Sequence, residues 1–129
     1  MNPSDLLGEI PHDLLTQALD DNGDGTIDAA AWDAVQAAAE ERLRAAFGGD
    51  VPLRHALTAT HARKLFILVI LYNRRGFTGE ANPYTNAANR AEKRLEEIAA
   101  GEVEFSEDAV DPIFVGEPAK VAGLQGNMA

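Results

Sequence analysis

The sequence predicts an all-α fold: a small domain of about four helices over residues 1–105, then an extended, irregular tail over residues 106–129 that can add a short strand. Three observations carry this. Apolar residues recur at three- and four-residue spacing through long stretches bounded by helix stop signals. An unbroken apolar run at residues 65–72 continues such a pattern upstream and has no strand of similar character to pair with. Strand-like alternation is confined to Glu102, Val103, Glu104 and Phe105. A chain of 129 residues makes one domain with a modest core and no need of covalent staples.

Taken in order, Ser4 can cap a short helix through Asp5, Leu6 and Leu7, and Pro11 restarts the chain. Leu14, Leu15, Ala18 and Leu19 then lie on one face of a second short helix. An Asp/Gly turn at residues 20–28 stops it. Residues 29–47 hold the clearest stripe, Trp32, Val35, Ala39, Leu43 and Ala46/Phe47, and Gly48-Gly49 ends that helix. Glu40 precedes Arg44 by four residues, the favourable order for a surface pair. Val51-Pro52-Leu53 is an extended connection, because a residue before proline is pushed out of the α region. Residues 58–75 form the most buried element. Ile67, Val69 and Ile70 are β-branched and would also suit a strand, but the upstream Ala59-Thr60-His61-Ala62 favours a helix apolar on all faces. After the Gly76–Gly79 loop, Asn82 caps a last helix with Pro83 at its first position. Its stripe is Tyr84, Ala87/Ala88, Ala91, Leu95 and Ile98, and Gly101 closes it. The tail beyond is too poor in apolar residues to fold alone, and Ile113, Phe114 and Val115 are its expected docking segment.

The turn reads Asp-Asp-Asn-Gly-Asp-Gly-Thr-Ile-Asp, the first part of a calcium-loop pattern. Asp20, Asn22 and Asp24 would be ligands one, three and five, with Gly25 at the sharp sixth position. Thr26 would offer its carbonyl at seven, and Asp28 would stand at nine. Position twelve, where a bidentate Glu belongs, is Ala31. Two readings stay open. Either the loop holds Ca2+ weakly, Asp33 reaching back to help, or it is a metal-free turn with Asp28 as N-cap of the next helix. The missing carboxylate favours the second.

The formal charge is −10 and unevenly spread. Residues 1–28 carry seven acids and no Lys or Arg, residues 29–101 carry ten bases against eight acids, and residues 102–129 carry six acids and only Lys120. So negative a chain is a poor nucleic-acid binder. The basic centre (Arg42, Arg44, Arg63, Lys64, Arg74, Arg75) can face the acidic end of a neighbouring copy; the plain alternative is an acidic, soluble surface. No cysteine is present, so disulfides and thiolate metal sites are excluded. The N-terminus lacks the basic and apolar regions of a secretory signal, which points to a cytosolic origin. An apolar run of this length cannot span a bilayer. Catalysis is not expected: Ser4 and Ser106 lack a nucleophile-elbow context, and the spacing of His55 and His61 suits capping or surface roles rather than a metal site.

The order of these pieces is similar to one known family. A Ser-Asp-Leu-Leu helix, a short helix ending Leu-Asp, the Asp-Asn-Gly-Asp-Gly-Thr-Ile-Asp turn and a long Ala/Glu/Arg helix come first. A Val-Pro-Leu connection, a buried helix and a last helix ending Leu-Glu-Glu-Ile-Ala-Ala-Gly follow. Over residues 4–105 this resembles the Mu-type tailed-phage neck family. The resemblance implies a structural head–tail adaptor, or head-completion protein, of a phage or prophage virion, assembled in the bacterial cytoplasm and without chemistry of its own. It implies a homo-oligomeric ring of about twelve copies between the portal protein and tail-side neck proteins, with DNA passing through the lumen unbound. No cofactor is implied, and it leaves Ca2+ in the turn open.

Overall fold

The computed structural model describes the backbone of residues 1–108 and the side chains of residues 1–101. Expectations for Ile113, Phe114, Val115 and the rest of the tail lie outside the described residues. Contacts group the chain into a compact unit, Met1–Glu96, and a second unit starting at Glu97. The α-helices are α1 (His12–Leu19), α2 (Ala29–Phe47), α3 (Ala56–Arg74) and α4 (Thr85–Asp108), with 3-10 turns at Pro3–Leu6, Leu53–His55 and Gly79–Ala81. The all-α prediction holds, and no strand occurs among the described residues.

The helices form where the apolar spacing demands. In α2 the buried residues are Ala31, Trp32, Val35, Ala39, Leu43 and Ala46, a stripe along one face. The helix stops at Gly48, which turns left-handed (φ 85°, ψ 17°) and donates its N–H to the Arg44 carbonyl, a conformation glycine adopts without steric cost. A short connection then returns the chain antiparallel, so that Glu40 of α2 meets Arg63 of α3. The apolar run of α3 is helical, not a strand. Phe66, Ile67, Leu68, Val69 and Leu71 are buried, with Leu65, Ile70 and Tyr72 packed against the same core. A helix apolar on every side has to sit centrally, and the other elements cover it. Leu6 and Ile10, Leu15 and Leu19 of α1, the α2 stripe, and Ala88 and Leu95 of α4 complete the cluster.

Four local expectations are corrected. The first 3-10 turn is entered from Asn2, whose N–H donates to the Asp5 carboxylate (2.9 Å), so the boundary residue is Asn2 rather than Ser4. Glu40 does not pair with Arg44: Glu40 accepts from Arg63 at 2.7 Å and Arg44 reaches Asp50 at 2.9 Å. A same-helix pair contributes only about 0.2–0.5 kcal/mol, so a better placed neighbour wins easily. Asp28 occupies the N-cap position of α2 without a side-chain cap bond, its carboxylate being used elsewhere. Lastly, Gly101 does not close α4, and residues 102–105 continue the helix instead of forming a strand. A helical glycine costs about 1 kcal/mol relative to alanine, which the helix-forming residues before it can absorb.

The glycines therefore give opposite predictions. Gly25 has φ 81° and open space around it, so Gly25→Ala should lose about 1–2 kcal/mol through backbone strain alone. Gly101 is helical with no atom within 4 Å of an added Cβ, so Gly101→Ala should gain about 0.5–1 kcal/mol. Urea melts of the two variants should shift in opposite directions. A destabilised Gly101→Ala would place the end of α4 back at that residue.

Candidate functional site

The aspartate turn is built from side chains reaching its own backbone. Its base is closed by the Asp28 N–H donating to the Leu19 carbonyl at 2.9 Å. Above that, each backbone N–H from Asp21 to Thr26 finds a side-chain oxygen. Asp21 and Asn22 donate to Asp28 Oδ2 at 2.6 and 3.1 Å. Gly23 and Asp24 donate to Asp20 Oδ1 at 2.8 and 3.0 Å, and Gly25 to Asp20 Oδ2 at 2.7 Å. Asp24 also donates to Asn22 Oδ1 at 3.1 Å, and Thr26 donates to Asp24 Oδ1 at 2.9 Å. Aspartate and asparagine make such bonds because their short side chains reach N–H groups a few residues along. Gly23 and Gly25, both at positive φ, let the chain curl tightly enough.

These N–H dipoles point at the carboxylates and offset their mutual repulsion. The backbone N–H of Thr26, then its hydroxyl (2.8 Å), hold the Asp24 carboxyl below the usual carboxylate range. Asp20, Asp24 and Asp28 each present an oxygen within 4.8 Å of the others. That spacing fits a hard divalent cation, whose oxygen ligands at about 2.3–2.6 Å stand no more than about 5 Å apart. Asn22 and Thr26 sit in the same turn, with the Asn22 side-chain oxygen already accepting one N–H. Position twelve is closed. Ala31 is only 4% exposed and belongs to the core, so α2 turns that position inward and offers no oxygen. Asp33 is exposed and lies outside the carboxylate group. The donor set thus supports at most a loose cation, with three carboxylates already shared by backbone N–H groups.

The cations of the centre are mostly used inside the chain. Arg42 donates to Glu92 through Nε and Nη2 (2.9 and 2.7 Å) and to Asn89 at 3.1 Å, while its guanidinium lies 4.5 Å over the Phe66 ring. Arg44 meets Asp50 and Arg63 meets Glu40. Lys64 reaches Glu9 at 3.0 Å. Arg74 pairs with Asp21 and donates to the Ala18 carbonyl at 2.7 Å. Arg75 is exposed at the C-cap of α3.

Two features lie outside the sequence reading. One is Asn82, a buried polar side chain only 3% exposed. Its Nδ2 donates to the Val69 carbonyl and to Asn73 Oδ1, both at 2.9 Å, while its Oδ1 accepts the Tyr84 N–H. The expected role of Asn82 as N-cap with Pro83 at the first helical position is corrected: α4 begins at Thr85, and Asn82 closes the 3-10 turn before it, its amide spent on the Tyr84 N–H and on α3. The other is an apolar pair at the start of α3, Leu53 and Leu57, which are 93% and 88% exposed. Their signal was their four-residue spacing off the buried face marked by Ala59, Ala62 and Phe66. Among the described residues no helix is long and apolar enough to cross a membrane. Compared with known protein families, curated proteins and solved structures, the chain matches none.

Proposed function

We propose that this protein is a structural adaptor of a tailed-phage or prophage neck, forming a homo-oligomeric ring between portal and tail. The observation that carries the reading is the aspartate turn seated between α1 and α2 on an all-α frame. The charge distribution supports it. Arg42, Arg44, Arg63, Lys64 and Arg74 are paired within the chain, and the net charge of −10 suits a lumen that lets DNA pass without phosphate binding. The tail, residues 106–129, reaches the portal or the next ring.

A second reading, a calcium-binding module, is favoured by one observation: the convergence of Asp20, Asp24 and Asp28 oxygens within 4.8 Å. Native mass spectrometry over a concentration series, with and without calcium, separates the two. The adaptor reading expects a ring of about twelve copies that forms alike in calcium and chelator. The calcium module expects a monomer that gains one ion and a higher melting temperature, by mass action on the folded state. Where the chain alone stays monomeric, addition of portal protein decides, and failure to join the portal ends the adaptor reading.

A further inference from the structure

Within Met1–Glu96 the exposed large apolar side chains are Met1, Leu7, Leu53, Leu57 and Phe77. Leu53 and Leu57 stand almost fully exposed beside an open groove lined by Leu57, Thr58, His61, Ala62, Ala91 and Arg94. The rim of this groove is basic. Arg90, Lys93 and Arg94 are exposed at helical spacing on α4, and none has a carboxylate partner among the described residues. The N-terminal segment runs from the first turns of α2 to Lys64 of α3, which Glu9 meets at 3.0 Å. The Met1 carbonyl accepts from Trp32 Nε1 and Gln36 Nε2, and the Glu9 carbonyl accepts the Tyr84 hydroxyl. These bonds hold the segment against the starts of α2 and α4. Met1 and Leu7 are 44% and 45% exposed in this segment, which carries the exposed Asp5, with the exposed Asp13 following on α1.

We infer that the Leu53/Leu57 end of one copy receives the acidic N-terminal end of a second copy. Apolar side chains meet in the middle, and Arg90, Lys93 and Arg94 face Asp5 and Asp13. The charges that meet across this joint are opposite in sign, so the two surfaces complement each other. Such a joint is head-to-tail: every copy keeps one free donor and one free acceptor end, so copies add until a ring closes or a filament grows. The inference deepens the adaptor reading by naming the surface that joins the copies, and it stands or falls separately from the portal.

The test is a pair of complementary variants. The first, Leu57→Ser with Arg94→Ser, spoils the basic end; the second, Leu7→Ser with Asp13→Ser, spoils the acidic end. All four positions are exposed, and circular dichroism melts verify that each variant folds. Analytical ultracentrifugation should show each variant alone associating roughly 30-fold or more weakly than wild type, the size of a lost interface hot spot. Mixed in equal amounts they retain one intact joint, and should form a one-to-one dimer that grows no further. Wild type that stays monomeric at every concentration reached overturns the inference. So does either variant assembling like wild type, or a mixture that forms no dimer. In the case where only the first variant loses assembly, some other segment fills the groove, and the acidic end is excluded as its occupant. Portal binding by wild type is measured alongside, so that the adaptor reading can survive the loss of this joint.

Discussion

Phe66→Ala should remove about 3–5 kcal/mol of stability, the usual cost of emptying a fully buried aromatic site. Against the 5–15 kcal/mol that holds a typical small domain, that loss leaves a marginal fold. Phe66 is completely buried on the central helix, and one face of its ring carries the Arg42 guanidinium at 4.5 Å. That guanidinium is itself bound by Glu92 and Asn89, so a single ring sits where α2, α3 and α4 meet. Phe66→Leu keeps most of the volume and should cost no more than about 1.5 kcal/mol from packing. It loses the ring face as well, so the cation–π share can be isolated. A double-mutant cycle with Arg42→Met, measured by urea unfolding, should return a coupling of about 0.5–2 kcal/mol between positions 42 and 66. Strict additivity would mean that the guanidinium rests on the ring without stabilising it, and that Phe66 acts through packing alone.

The second large effect is expected at Asn82, whose amide joins the end of α3 to the beginning of α4. Asn82→Ala should cost about 1–3 kcal/mol, since buried groups that shared its amide lose their partner. Asn82→Asp makes a sharper test. It keeps an oxygen for the Tyr84 N–H but replaces the donor with another acceptor, facing the Val69 carbonyl and Asn73 Oδ1. Burial and these acceptors favour the protonated acid and raise its pKa in the folded state. A raised folded pKa gives stability that is fully present below the unfolded value, about 3.9 for aspartate, and lost as pH climbs through the folded value. The Asp variant should therefore be closest to wild type in mild acid and weaken toward neutrality. Thermal melts of wild type and variant between pH 4 and pH 7, about the range either side of this titration, read the difference directly. A gap independent of pH would show the carboxylate to be as well solvated in the fold as in the unfolded chain.

How far the sequence could be read depended on the range of the interactions involved. Helix α2 was legible from end to end because its stripe, from Trp32 to Ala46, and its stop at Gly48 are both local signals. Helix α3 was legible despite its β-branched residues, because a helix apolar all round needs cover on every side and the chain supplies it. Gly101 misled because glycine both ends helices and survives inside them; only the backbone angle separates the cases. The Glu40–Arg44 pair failed for a different reason: tertiary neighbours at Arg63 and Asp50 compete, and they are invisible in a helical window. The same blindness hid the contact of Arg42 with Phe66 and of Asn82 with Val69. In the turn, the spacing of the aspartates was read correctly, while their partners were not: Asp28 looked like a cap for α2, yet it looks back to Asp21 and Asn22.

That backward look bears on how the chain finds its fold. The bonds within the turn join residues two to seven apart, so closing them costs little chain entropy and requires no distant segment to have arrived. A charged surface turn usually waits for the core to position it; this one carries its own instructions. The direction in which α2 leaves α1 is thereby encoded within nine consecutive residues, and Arg74 of α3 adds a tie from outside through Asp21 and the Ala18 carbonyl.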